Sequence, residues 1–424
     1  MKSIDLLITE AKQLIYFSKT DATHGNDTWR LKAITNGYVA IEDGHVVHIG
    51  SEDEVLPLVQ IDSGTVTIDA HDKVVTPGLV DSHTHPVFHQ TREHEFEMRV
   101  QGKSYEEIAA AGGGIRSSVR GVREASKEEL KSVVRKRLDR FLSVGTTTIE
   151  AKSGYGLSLE DEVKSLEVIR ELNDEHSLEM IPTFLGAHEV PTEYREKRDE
   201  YIQLVVKEMI PYVAENGLAE FCDIFCEQGV YSVSEARRIL SAARQAGLSI
   251  KLHADQLHLT GATRLAIELQ AVSADHLECL DDEGIQAMAS SKTIAGLLPG
   301  AVFFLGSHRY PPARKLLDAG TRVCLATDFN PGSSMTQSLP LMMTLGCLFM
   351  KMTPEEALMA STIFGAASIC REEVIGNLLP GYRADVVLWD ADDYRQIPYY
   401  YGVNLVNTVI KKGKVVFKID HGQN

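Results

Sequence analysis

The chain has 424 residues, 44% hydrophobic and 24% charged, an ordinary balance for a globular protein that can bury a substantial core without disulfide or metal staples. Asp and Glu outnumber Lys and Arg by 60 to 43, and the net charge of −17 argues against general affinity for nucleic acid or anionic membranes. A small anionic ligand stays open, because it needs only one or two local cations.

The opening segment, MKSIDLLITEAKQLIYF, carries acidic residues where a signal peptide would need an apolar run. The longest apolar stretch, Leu339 to Met350, is short of the roughly 20 residues that span a bilayer and fits a buried helix. Six cysteines are scattered with no C-x-x-C pair, which fits reduced, mostly buried thiols and a cytoplasmic protein.

The first 75 residues read as β structure: IDLLITEAKQLIYF alternates, and YVAIEDGHVVHIG places two apolar runs around Asp43-Gly44, a hairpin signal. The end of the chain has the same character, with ADVVLWD as a strand and VNTVIKKGKVVFKID as two strands around a Lys-Gly turn. The expectation is one small β-sandwich domain built from residues 1–75 and 374–424. Between them, residues 76–373 alternate strand-like and helix-like segments. The strand candidates are VTPGLVDSHTH, TTTIEAKSGYG, EMIPTFLGAHEV, FCDIFCEQG, SIKLHADQ, SADHLEC, TIAGLLPG and VCLATDFNPG. Amphipathic stretches such as KEELKSVVRKRLDRFLSV and LEDEVKSLEVIRELNDE separate most of them. This predicts an α/β fold with a (β/α)8 TIM-like barrel; a doubly wound open sheet would alternate similarly. No G-x-G-x-x-G or G-x-x-x-x-G-K-[ST] is present, so a nucleotide-phosphate cradle has no support.

His83-Thr84-His85 ends the first of these strands. Side chains two apart on a strand share a face, so both imidazoles point together from the strand end where barrels build their sites. His188, His253, His276 and Asp328 each close a later apolar run. Any one of them alone reads more simply as a core histidine or a capped turn. Together they suit a divalent metal, Zn(II) or Fe, since imidazole and carboxylate serve both. Such an ion lowers the pKa of water toward neutrality and makes it a nucleophile. A carboxylate or histidine must then carry a proton to the leaving nitrogen, and Asp328 and His276 are the candidates.

The H-x-H after PGLVD, the strand-end histidines, the late aspartate, and Gly376-Asn377-Leu378-Leu379-Pro380-Gly381 followed by ADVVLWD (Ala384 to Asp390) resemble the amidohydrolase superfamily along the whole chain. PGLVDSHTHPVFHQTREHEFEMR, GGGIRSSV, TTTIEAKSGYGL, FLGAHEVP, LHADQL, SADHLE and TDFNPGS are similar, more narrowly, to a branch that opens a five-membered cyclic amide bearing a propionate tail. That resemblance implies metal ligands at His83, His85, His253 and Asp328. It implies Arg92 as the carboxylate anchor, and a planar guanidinium suits that task because it grips a carboxylate with two hydrogen bonds. It implies ring contacts from Tyr155 and His188, and a product-holding loop of Asn330, Gly332 and Ser333, although a Pro-Gly loop is also simply a turn. Tyr105 matches a further pocket position and could equally be a helix-packing tyrosine. The resemblance also implies a small-molecule substrate with a carboxylate and a homodimer, with no nucleic-acid or membrane partner.

Two departures bear on mechanism. Where many amidohydrolases carry a lysine on the fourth strand to bridge two metals, FCDIFCEQG has none, so one metal is expected. Gln256 stands three residues after His253, where some relatives are expected to place an acid; an amide is no base at neutral pH, which moves the proton work to His276 and Asp328 and leaves Gln256 a substrate contact. Two rival readings remain: a ring deaminase using the same ion, which would leave Arg92 without a task, and a silent metal-binding scaffold, which would need no proton shuttle.

Overall fold

A computed structural model describes residues 2–20, 28–103, 107 and 112–419. Three runs of sheet account for most of the β structure. The largest has eight strands in sequential order: Leu79–Thr84, Thr146–Lys152, Glu179–Ala187, Phe221–Cys226, Ser249–Ala254, Ser273–His276, Ile294–Leu297 and Val323–Leu325. The eighth returns to the first through Thr84 and Phe329, with His85 N–H donating to Phe329 O (2.9 Å) and Asp328 N–H to His83 O (3.1 Å). The eight predicted strands are therefore the eight strands of a closed parallel barrel. The first two are buried at every position, the sequence cost of a sheet covered on both faces.

Helices connect the strands, among them Lys127–Ser143, Leu159–Glu175 and Val233–Gln245. The second starts at Ser158, whose hydroxyl accepts the Asp161 N–H, and the third at a capping box of Ser232 and Glu235. Among the described residues no helix is long and apolar enough to cross a membrane.

By internal contacts the chain forms two units, Met1–Ser82, Asp139–Thr148 and Ser338–Asn424 in one, His83–Leu138 and Ile149–Gln337 in the other. Among the described residues the first holds two large sheets and a two-stranded one that pairs Lys2–Ser3 with Val59–Gln60. One has six strands and includes Gln13–Thr20, Val74–Pro77, Val386–Trp389 and Val406–Lys411; the other has four and includes Leu6–Ala11 and Gly37–Glu42. Leu6, Ile8, Val39 and Ile41 from the smaller sheet meet Leu14, Val75, Val386, Leu388 and Ile410 from the larger in one buried apolar layer, a β-sandwich. Both chain ends build it, and Asn377 stitches them: its amide accepts from Phe17 N–H (2.9 Å) and donates to Phe17 O (2.8 Å). The apolar helix Leu339–Met350 belongs to this unit, where Thr344 Oγ1 donates to Pro398 O at 2.7 Å.

The second unit contains every residue of the site described next that falls within the described chain.

Candidate metal centre

Alternation along the barrel strands sends apolar side chains outward and polar ones inward. Ile149 and Ala151 flank Glu150 and Lys152; Leu252 and Ala254 flank His253; all are buried. His83 on the first strand and Asp275 on the sixth belong to strands that are not neighbours, yet His83 Nδ1 lies 2.7 Å from Asp275 Oδ2. Such a contact can only cross the barrel interior.

Four groups converge there. His83 Nε2 is 3.1 Å from His253 Nε2 and 3.7 Å from Asp328 Oδ1, and His85 Nε2 is 3.4 Å from the same oxygen. Two donors roughly 2.1 Å from one ion, at angles of about 90–125°, stand about 3.0–3.7 Å apart. The observed spacings fall in that window. The protons make the same point. Burial, helped by Lys152, drives His83 well below the usual imidazole range, so it is neutral at pH 7. Asp275 requires its proton on Nδ1, which leaves a lone pair on Nε2. Asp223 Oδ2, 3.1 Å from His253 Nδ1, asks the same of His253. Two lone pairs then face each other at 3.1 Å, an arrangement that a cation between them relieves. The buried histidine–aspartate cluster thus fits a divalent metal ion.

Burial raises the Asp328 carboxyl, but the bond to His85 and the nearby His276 and His253 outweigh it and hold it below its ordinary value. Its backbone is left-handed (φ +51°), as are those of His276 (φ +84°) and Leu277 (φ +69°). Strained φ values of this kind at non-glycine positions collect at functional sites. His276 is buried with its ring 5.3 Å from that of His253 and 5.6 Å from that of His83. Burial disfavours its charged form, yet Glu278, 3.4 Å from Nδ1, together with Asp328 and Asp275, raises its pKa.

Around this centre His188 stacks on His85 (5.2 Å, 19°) and lies 5.2 Å from the Tyr155 ring. Its Nδ1 faces Gly154 O at 2.9 Å, so Nδ1 donates and Nε2 keeps a lone pair. Burial pushes the buried Tyr155 phenol up. The loop carrying Tyr155 hangs on one buried carboxylate: Glu162 accepts from the N–H groups of Gly154, Gly156 and Leu157 at 3.0, 2.8 and 2.8 Å. Glu162→Gln turns one of these acceptors into a donor. It is expected to raise KM about 10-fold by misplacing Tyr155 and to lower the melting temperature by a few degrees; unchanged KM and melting would remove Glu162 from this role.

Arg92 precedes helix Glu93–Val100 and pairs with Glu95 through Nε and Nη2, at 2.9 and 2.5 Å. Its Nη1 faces Gly332, where an added Cβ would stand 2.7 Å away. Arg92 and the Asp328–Ser334 loop therefore meet. Within that loop Asn330 is occupied: its Oδ1 accepts from Gly332 and Ser333 N–H (2.8 Å each) and its Nδ2 donates to Asp328 O (2.7 Å) and Ser333 Oγ (2.8 Å). Ser333 Oγ reaches Asp328 Oδ2 at 3.4 Å. Gln256 is half-buried on the loop after the fifth strand, and its carbonyl accepts from Cys279 Sγ. Tyr105 lies outside the described residues. Sequence reasoning passed over Asp275, Asp223, Glu150, Lys152, Lys251 and Glu278. For three of them the signal is a charged residue two positions from another polar one inside an otherwise apolar strand, as in Glu150-x-Lys152 and Lys251-x-His253.

The barrel and this histidine–aspartate centre define an amidohydrolase. The chain belongs to the amidohydrolase family, whose signature matches residues 74–416. It is 49% identical over 414 residues to an imidazolonepropionase of Geobacillus kaustophilus, covering 97% of each chain. It is 45% identical over 423 residues to that of Alkaliphilus metalliredigens, covering 99% of each. Within the family, the chain groups with the imidazolonepropionases. Among solved structures, a zinc-bound adenosine deaminase from Xanthomonas campestris superposes with a TM-score of 0.69 at 18% identity (98% of this chain, 93% of that one), and E. coli guanine deaminase with 0.68 at 15% (98% and 99%), likenesses of fold.

Proposed function

We propose that the chain hydrolyses the ring amide of 4-imidazolone-5-propanoate to N-formimidoyl-L-glutamate, a step of histidine degradation. The observation that carries this is the placement of a guanidinium, Arg92, against the same loop that bears Asp328, so that a carboxylate tail and a reacting ring can be held at once. His83, His85, His253 and Asp328 would hold the ion, zinc or iron, whose imidazole and carboxylate donors suit both. When bound, that ion supplies Lewis-acid polarisation and a water acidic enough to attack near neutral pH.

The remaining work falls to the chain. Arg92 takes the propionate in a charge-assisted pair, which converts remote binding into orientation at the ring. His188 and Tyr155 line the ring. Asp328 Oδ1 faces the histidines, which leaves Oδ2, beside Ser333, to accept the attacking water's proton. As the water oxygen bonds to the carbonyl carbon, the C–N bond breaks and Asp328, with His276, returns the proton to the ring nitrogen. Asn330 acts by holding Gly332 and Ser333 in place, and Gln256 and Tyr105 are further candidate contacts. A cytoplasmic homodimer belongs to the same reading; the homodimer rests on the family resemblance and the compartment on the scattered, unpaired cysteines.

The test is loss of the ring's ultraviolet absorbance after mixing the protein with freshly generated imidazolone propionate, beside a metal-stripped control. Fast, metal-dependent loss is expected. Loss no faster than the spontaneous rate, with metal confirmed in the protein, would sink the assignment.

A further inference from the structure

We propose that Lys152 is a positioning residue for the metal centre, holding Asp223 against His253 and so fixing which nitrogen of that histidine faces the ion. This rests on the ligand set proposed above. Lys152 Nζ lies 2.6 Å from Glu150 Oε1 and 2.7 Å from Asp223 Oδ2, and all three side chains are fully buried. Each end of this bridge is anchored. Thr183 Oγ1 donates to Glu150 Oε1 at 2.6 Å, and Asp223 Oδ1 accepts the Ile224 N–H at 2.6 Å. Asp223 Oδ2 is thereby left between the ammonium and His253 Nδ1, 3.1 Å away, where its charge favours the proton on Nδ1 although the ring is not aligned for a hydrogen bond. With Lys152 gone, Asp223 keeps the Ile224 N–H on Oδ1, but Oδ2 loses the ammonium that draws it to that place.

A parallel branch serves the other histidine. Lys251 Nζ is 3.8 Å from Glu150 Oε1 and 3.9 Å from Asp275 Oδ2, the oxygen that faces His83 Nδ1. Two histidines thus each have an acid behind them, and the acids are joined through two lysines and one glutamate. Burying so many charges is costly unless each is paired. Three carboxylates against two ammonium groups leave one negative charge beneath the imidazoles, which favours a cation above them. Acids behind ligating histidines fix tautomer and ring orientation; Lys152 extends that control one group deeper into the barrel.

The experiment titrates zinc into metal-stripped protein against a chromophoric chelator, for the native chain, Lys152→Met, Asp223→Asn and the double variant, with circular dichroism of each metal-free form as the folding control. Each single change is expected to raise the zinc dissociation constant by about 10–100-fold. The double is expected to be no weaker than the weaker single, because both changes cut one link. A folded Lys152→Met that binds zinc as tightly as the native chain, or losses that add, would overturn the proposal. Should Lys152→Met fail to fold, Lys152→Gln, which stays polar but carries no charge, decides: zinc binding about 10-fold or more weaker than that of the native chain supports the role and native-like affinity overturns it. A native chain that takes up no zinc would instead overturn the ligand set.

Discussion

Asp328→Asn is expected to lower kcat by about 1,000-fold or more in protein that still folds. The amide keeps the shape of the carboxylate and an oxygen where Oδ1 stands, and the backbone bond from Asp328 N–H to His83 O is untouched. What it loses is the ability to take a proton at neutral pH. It also loses the negative charge that His85, His276 and His253 stabilise in the native chain. General acid–base catalysis contributes about 100- to 10,000-fold, and the same residue is proposed to hold the ion, so the loss sits in the upper part of that range. The measurement is kcat with metal content determined on the same sample. Activity within about 10-fold of native at full occupancy would place the proton transfer elsewhere, with His276 next in line.

Arg92→Ala is expected to cut kcat/KM by about 100- to 1,000-fold, chiefly through KM. Charge-assisted hydrogen bonds contribute about 1.5–3 kcal/mol each, and because the guanidinium is shared with Glu95 two of them sit at the low end, about 3–4 kcal/mol together; their loss leaves the propionate without a partner. Arg92→Lys recovers little, since an ammonium cannot reproduce a planar fork. Glu95 holds Nε and Nη2 in the structure, so Nη1, on the Gly332 side, is the part of the fork turned toward the loop. Gly332→Ala should therefore raise KM as well, by crowding Nη1 without removing the charge. An unchanged KM in Arg92→Ala would favour a substrate without a carboxylate.

Most of the architecture is written in local patterns. Each barrel strand announces itself as an apolar run, and Lys127–Ser143 and Leu159–Glu175 as amphipathic stretches, because burial against neighbours leaves its period in the sequence. The histidines at strand ends are legible for the same reason: position along a barrel strand tells which end a side chain serves. The charged interior is not. Glu150, Lys152, Asp223, Lys251 and Asp275 come from strands far apart in sequence, and only closure brings them within reach of one another. Asn330 carries a second role that its motif does not announce. Its loop looks made for a ligand, yet its own side chain is consumed within the loop. The apolar stretch from Leu339 to Met350 reads as a buried helix and is one, in the unit that the chain ends form.

The seam where the barrel closes has one further meaning. Among the described residues, the first strand meets the eighth through a single isolated bridge, Thr84 to Phe329, and two backbone hydrogen bonds beside it. His83 and His85 stand on one side of that seam and Asp328 on the other. An ion held by all three would act as a clasp across that join, adding to the backbone bonds that already close the ring. The amide hydrogens of His85 and Asp328 would then exchange with solvent more slowly in the loaded protein than in the stripped one, and the proposed ion would be a structural fastener as well.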